Sequence, residues 1–110
     1  MNKTHDIDAQ MQRHLERFKI RPRMYVKTAA NYQLVQNYIE GYLDGLSASF
    51  NCDFRVMVSH WYMNKYNIHG PWELQDYLPE LFAGKSEKEL RHLIVDAVAE
   101  YFRENPLSDR

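Results

Sequence analysis

The chain predicts an all-α protein, a compact bundle of about five helices forming one domain over residues 1–110. Two observations predict it. Apolar residues recur at intervals of three and four along most of the sequence, the spacing that lines one face of an α-helix. Proline and glycine punctuation falls mainly between those periodic stretches, where it ends one helix and opens the next. With 110 residues, 45% hydrophobic and 26% charged, the chain has material for one core and no need of a disulfide or metal staple.

The first helix is expected from Asp6, where Ile7, Met11, Leu15 and Phe18 fall about one turn apart with Gln10, Gln12, Arg13 and Glu16 between them. Pro22 pushes Arg21 out of the helical region, so 20–30 reads as an irregular basic connection with Met24, Tyr25 and Val26 resting on the core. The second helix, near 31–49, is the clearest. Its Leu34, Val35, Tyr38, Ile39, Tyr42, Leu43 and Leu46 share a face, and Asn31 or Thr28 stands where a cap belongs. Asn51, Cys52 and Asp53 make a turn. Beyond it Phe54, Met57, Val58, Trp61, Tyr62 and Tyr66 follow helical spacing, with a short strand or hairpin at 55–59 as the competing reading. Pro71 suits the first position of a short fourth helix carrying Trp72, Leu74, Leu78, Leu81 and Phe82, which Pro79 breaks or kinks and Gly84 closes. Ser86 and Glu89 form a capping box ahead of Leu90, Leu93, Ile94, Ala97, Val98, Tyr101 and Phe102, the last helix, which runs to about Arg103. Asn105 and Pro106 stop it, and a frayed tail is expected from about 104.

Composition narrows the function classes. The single cysteine, Cys52, rules out an intramolecular disulfide and fits a reducing compartment, the cytoplasm. The first ten residues hold Asp6 and Asp8 where an export signal would carry an apolar run. Nothing approaches the roughly 18 to 20 apolar residues of a membrane span, so no membrane partner is expected. A net charge of −1 supplies no global field to hold nucleic acid.

Motifs that carry chemistry are sparse. None of His5, His14, His60, His69 and His92 stands at metal-ligand spacing with a carboxylate, so neither a metal nor a cofactor is expected. His60, beside Trp61, reads as a partly buried structural histidine, and Cys52 has no second cysteine to form a redox pair. Gly41, Gly45, Gly70 and Gly84 are dispersed and build no phosphate loop. Glu40 and Asp44, one turn apart, read as a solvated face before a catalytic pair. No residue is nominated as catalytic, and the chain reads as a binding protein, not an enzyme.

Charge is unevenly spread. Arg13, Arg17, Lys19, Arg21, Arg23 and Lys27 crowd together, opposed locally only by Glu16, and could grip phosphate. Sequence-specific RNA binding adds stacking aromatics to such a patch, and apart from Phe18, which belongs to the apolar stripe of the first helix, only Tyr25 lies within this one. A small nucleic-acid-binding regulator using 13–27 is therefore the second reading. By contrast, 28–54 contains Glu40, Asp44 and Asp53 with no Lys or Arg, and 70–84 contains Glu73, Asp76 and Glu80 with none. Brought together beside Trp72, Tyr62, Tyr66 and Tyr77, these windows would offer an aromatic, acidic surface to a basic protein. Glu40, Asp44, Glu73, Asp76, Glu80, Trp72 and Tyr77 are accordingly the candidate partner-binding residues, while Trp61 and Tyr38 read more simply as core.

The run Ile20-Arg21-Pro22-Arg23-Met24-Tyr25-Val26, followed by Tyr38-Ile39-Glu40-Gly41-Tyr42, resembles small bacterial immunity proteins that accompany toxins of contact-dependent growth inhibition and related polymorphic systems. The likeness runs from about Ile20 to Phe102, and Arg23 stands where those relatives commonly carry Gly. A similar Arg-Pro-Gly-Met-Tyr string opens the ATPase domain of type II topoisomerases, which this chain is too short to contain and whose Gly-rich lid it lacks. The resemblance implies a stoichiometric inhibitor that binds its cognate toxin one to one, often a nuclease, and covers or distorts the active site. It carries over no catalytic residue. Nuclease toxins commonly present basic, phosphate-binding clefts, which acidic side chains with aromatic anchors would complement.

Overall fold

The computed structural model describes residues 3–22, 31–69 and 74–110, with the backbone alone at 3–6 and 74–77. Five helices follow in chain order: α1 (Lys3–Ile20), α2 (Tyr32–Phe50), α3 (Phe54–Lys65), α4 (Leu74–Leu81) and α5 (Glu87–Glu104), then a 3-10 turn at Leu107–Asp109. No strand occurs among the described residues, and the fold is an all-α bundle.

α5 is the central element, and α1, α2, α3 and α4 all pack against it. Its sequence explains why: Leu90, Ile94, Val95, Ala97, Val98, Ala99, Tyr101 and Phe102 are buried, a far wider apolar arc than a surface helix carries. Around it the core takes Met11, Leu15 and Phe18 from α1, Val35, Ile39 and Leu43 from α2, Phe54, Val58 and Tyr62 from α3, and Leu78 from α4. Removing such a side chain from water stabilises by roughly 1.5–3 kcal/mol each, which is why these positions, and not helix propensity, hold the short α4 in place.

Local signals set the helix boundaries. Asn31 caps α2, its side chain accepting from the Leu34 N–H at 3.0 Å. α2 ends where Asn51 adopts a left-handed conformation (φ 54°), a geometry that Asn tolerates better than most residues, with its N–H on the Ser47 carbonyl. Asp53 then caps α3 by accepting from the Val56 N–H. The competing strand at 55–59 is not formed. With a cap at Asp53 and Phe54, Val58, Ser59 and Tyr62 all buried, helical spacing puts the large apolar groups inside, whereas strand alternation would not. Pro79 does not end α4, which continues to Leu81, and the turn closes at Gly84 with φ 95°. Both halves of the Ser86–Glu89 capping box are present at the start of α5.

The tail differs most from expectation. Instead of fraying from about 104, the chain turns back at Pro106, and Leu107 is completely buried in the core. The carboxylate of Asp8 on α1 accepts from the Leu107 N–H at 2.7 Å and the Ser108 N–H at 3.3 Å. Arg110 lies 4.9 Å from the centre of the Phe54 ring and donates to the Tyr101 hydroxyl at 3.3 Å. Apolar burial plus two charge-assisted hydrogen bonds outweigh the ordering entropy of a few residues. The expected resting of Met24, Tyr25 and Val26 on the core, and the roles of Thr28 and Pro71 as cap and first helical residue, lie outside the described residues.

Candidate partner-binding surface

The first acidic window sits on the α2–α3 hairpin. Arg55, one residue beyond the stretch without Lys or Arg, reaches back across the turn and holds two of its acids. Its Nη2 donates to Glu40 at 2.6 Å and its Nη1 to Asp44 at 3.2 Å. Arg55 and Glu40 are about three-quarters buried, while the Asp44 side chain is 56% exposed. Glu40 is therefore a structural partner first, and Asp44 remains presented to solvent. Asp44 and Asp53 then line one shallow hollow at the hairpin corner, together with Ser47, Ala48, Asn51 and the half-buried thiol of Cys52. Glu40, Asp44 and Asp53 set three carboxylates against one guanidinium at this corner.

The second window is only partly described. Glu80 is exposed on α4, Asp76 and Tyr77 are placed in α4 by backbone, and Trp72 and Glu73 lie outside the described residues. α4 packs on α3 and α5, and α2 also packs on α3 and α5, so the two windows ride on helices that share neighbours. Of the aromatics expected beside them, Tyr62 is buried in the core, and Tyr66 is 48% exposed with its ring 4.6 Å from that of Tyr62. Trp61 is half-buried: it meets Tyr101 edge-on and donates its indole N–H to Glu104 at 3.1 Å. Lys65 lies over the Trp61 ring and pairs with Glu100 and Glu104, which holds its ammonium well above the ordinary lysine range.

A second constellation lies on the other flank of α2, where α1 crosses it. His14 stacks on Tyr42 with ring centres 5.1 Å apart and shares a 2.8 Å hydrogen bond with the Tyr38 hydroxyl. Tyr38 in turn stacks on the buried Phe18 at 4.3 Å. Burial, and then the charge of Arg17, holds His14 below its ordinary value, so the neutral ring is favoured. Burial, with a smaller contribution from Tyr38, pushes the Tyr42 phenol up to about 12. Below this trio a pocket of about 240 Å³ is lined by Ile7, Gln10, Met11, His14, Tyr42, Leu46 and Leu107.

Sequence reading missed both Arg55 and the His14 group. A signal for Arg55 existed: it is the first cation after a stretch that holds only acids, and a short turn between two helices brings the start of the second back against the end of the first. His14 was visible only as a position three after Met11 and four before Phe18, at the margin of the apolar stripe. Among the described residues no group of three or more His, Cys, Asp or Glu is placed to hold a metal ion, and no helix is long and apolar enough to cross a membrane. Scanned against models of known families, against curated proteins and against solved structures, the chain has no significant match.

Proposed function

We propose that this protein acts by stoichiometric binding to a basic macromolecule, and specifically as an immunity protein that neutralises a cognate toxin, a basic nuclease domain, by covering its active site in a one-to-one complex. The observation that carries the reading is the α2–α3 corner, where Glu40 and Asp44 share a single guanidinium, Asp53 lines the same hollow as Asp44, and Asp44 projects into solvent. Arg55 serves this surface by fixing the carboxylates in place, so that less side-chain freedom is lost when a cationic partner docks. The excess of negative charge speeds encounter and disfavours acidic partners. Exposed Glu80 on α4 extends the acidic character, and Glu73, Asp76, Trp72 and Tyr77 are assigned to the same surface on the strength of their sequence window alone. The reading gives no residue a catalytic role and needs no cofactor. It places the protein in the cytoplasm, where the toxin would act and where the lone Cys52 would stay reduced.

The test is a pull-down of the tagged protein from its native lysate, with the bound partner identified by mass spectrometry and expressed alone to measure growth inhibition. Recovery of a toxic nuclease domain at one-to-one stoichiometry, with affinity lost in Asp44→Lys and Glu80→Lys, supports the proposal. A partner that is not toxic, or an affinity indifferent to both reversals, rejects it.

A further inference from the structure

The one aromatic in the basic segment of α1, Phe18, is buried in the core, and the fold brings others from α2. Arg13, Arg17 and Arg21 are exposed, and successive members stand four residues apart, which sets them about 6 Å apart along one flank of the helix. None of the three has a carboxylate partner among the described residues. Lys19, by contrast, is spent on Asp96 at 2.9 Å. On the helix surface Arg13 neighbours Gln10 and Arg17 neighbours His14, each three residues away, so the arginine row borders the pocket beneath Tyr42. That pocket has an apolar floor of Met11, Leu46 and Leu107, an aromatic wall of Tyr42 and His14, and a rim of Ile7 and Gln10.

We propose that the groove between α1 and α2 binds single-stranded nucleic acid, with one base in the pocket against Tyr42 and the adjoining phosphates along Arg13, Arg17 and Arg21. The chemistry is that of a stacking platform beside a cationic track. The pocket, about 240 Å³, has room for a planar ring. Gln10 at its rim supplies an amide that both donates and accepts, which suits a base edge. Duplex is disfavoured because its bases are stacked away from such a pocket. The site is separate from the toxin-binding reading: on α2, Tyr42 lies about 200° around the helix axis from both Glu40 and Asp44.

The test is fluorescence anisotropy of a labelled single-stranded oligonucleotide titrated with the whole protein. Three phosphate contacts predict that affinity falls by about 20-fold between 50 and 200 mM salt. Arg17→Ala lowers affinity and makes that dependence shallower by about one contact. Ile7→Asn, which replaces the apolar rim of the pocket by a neutral polar group, weakens binding by about tenfold at fixed salt and leaves the salt dependence unchanged. Gln10→Ala serves as the milder second variant, and circular dichroism of each variant confirms folding. Asp44→Asn, on the acidic face, binds the oligonucleotide as the parent does. No binding at 50 mM salt overturns the proposal, as does binding indifferent to Arg17→Ala. Equal competition by inorganic polyphosphate, with Ile7→Asn and Gln10→Ala both silent, shows charge attraction alone and overturns it equally.

Discussion

Replacing Leu107 by Ala separates a docked tail from a frayed one. The Leu107 side chain has no exposed surface, and its backbone is held by Asp8 from the far end of the sequence. Truncating a leucine at such a site removes its transfer free energy and leaves a cavity, at a cost of about 2–5 kcal/mol. A residue in a frayed segment would cost about 0.5 kcal/mol or less. For a chain of this size each kcal/mol moves Tm by about 4 °C, so L107A is expected to lower Tm by about 8–20 °C. The assay is urea unfolding followed by helical circular dichroism, in which the midpoint drops while the slope stays that of the parent. Asp8→Ala is expected to cost about 1–3 kcal/mol by leaving two backbone N–H groups without their acceptor. Because both changes release the same turn, their double mutant is less destabilised than the sum. A Leu107→Ala midpoint within 0.5 kcal/mol of the parent would refute the docked tail and the packing argument built on it.

Other expectations follow from single contacts. His14 and His92 are both held below the ordinary 6.5, His14 by burial and then Arg17, His92 by burial and then Lys19. Their unfolded forms take up protons first, so stability is full above about pH 6.5 and declines as pH falls through that value toward the folded pKa. Thermal melts at pH 7.5 and 5.5 measure the decline, and His14→Gln should make it shallower; an unchanged difference would show that His14 does not contribute. Asn31→Ala removes the α2 cap and is expected to cost about 1 kcal/mol, read as a loss of denaturation midpoint. In a double-mutant cycle, Glu40 and Arg55 should couple by about 1 kcal/mol and Asp44 and Arg55 by less, since the second pair is longer and more exposed. Equal couplings would mean that burial does not set the strength of this pair.

The helices were legible because each announces itself locally. Leu34 to Leu46 share one face, Asn31 and Asp53 cap, and Ser86 and Glu89 reciprocate within four residues, so no long-range knowledge is needed. The site was less legible because it depends on how one helix is set against another. Glu40 and Asp44 read as an unpaired acidic face until α3 folds back and supplies Arg55. The Arg13–Arg21 row has only Phe18, on the apolar stripe, for an aromatic until α1 is laid beside Tyr38 and Tyr42. Leu107 followed Asn105 and Pro106, both sound helix stops, but a stop signal says where a helix ends and nothing of where the chain goes next.

The bond between Asp8 and residues 107–108 joins positions about a hundred residues apart, and Gln12 adds another such tie through the Ala99 carbonyl at 3.0 Å. Chains are synthesised at about 5–20 residues per second, so α1 waits about 5–20 s for the segment that covers it. During that interval Met11, Leu15 and Phe18 have neither α5 nor the tail to bury them. A growing chain that must keep such a stripe uncovered is a natural client for a chaperone that recognises short apolar helices. Moving α1 to follow Arg110 by circular permutation would let the helix emerge beside its finished seat.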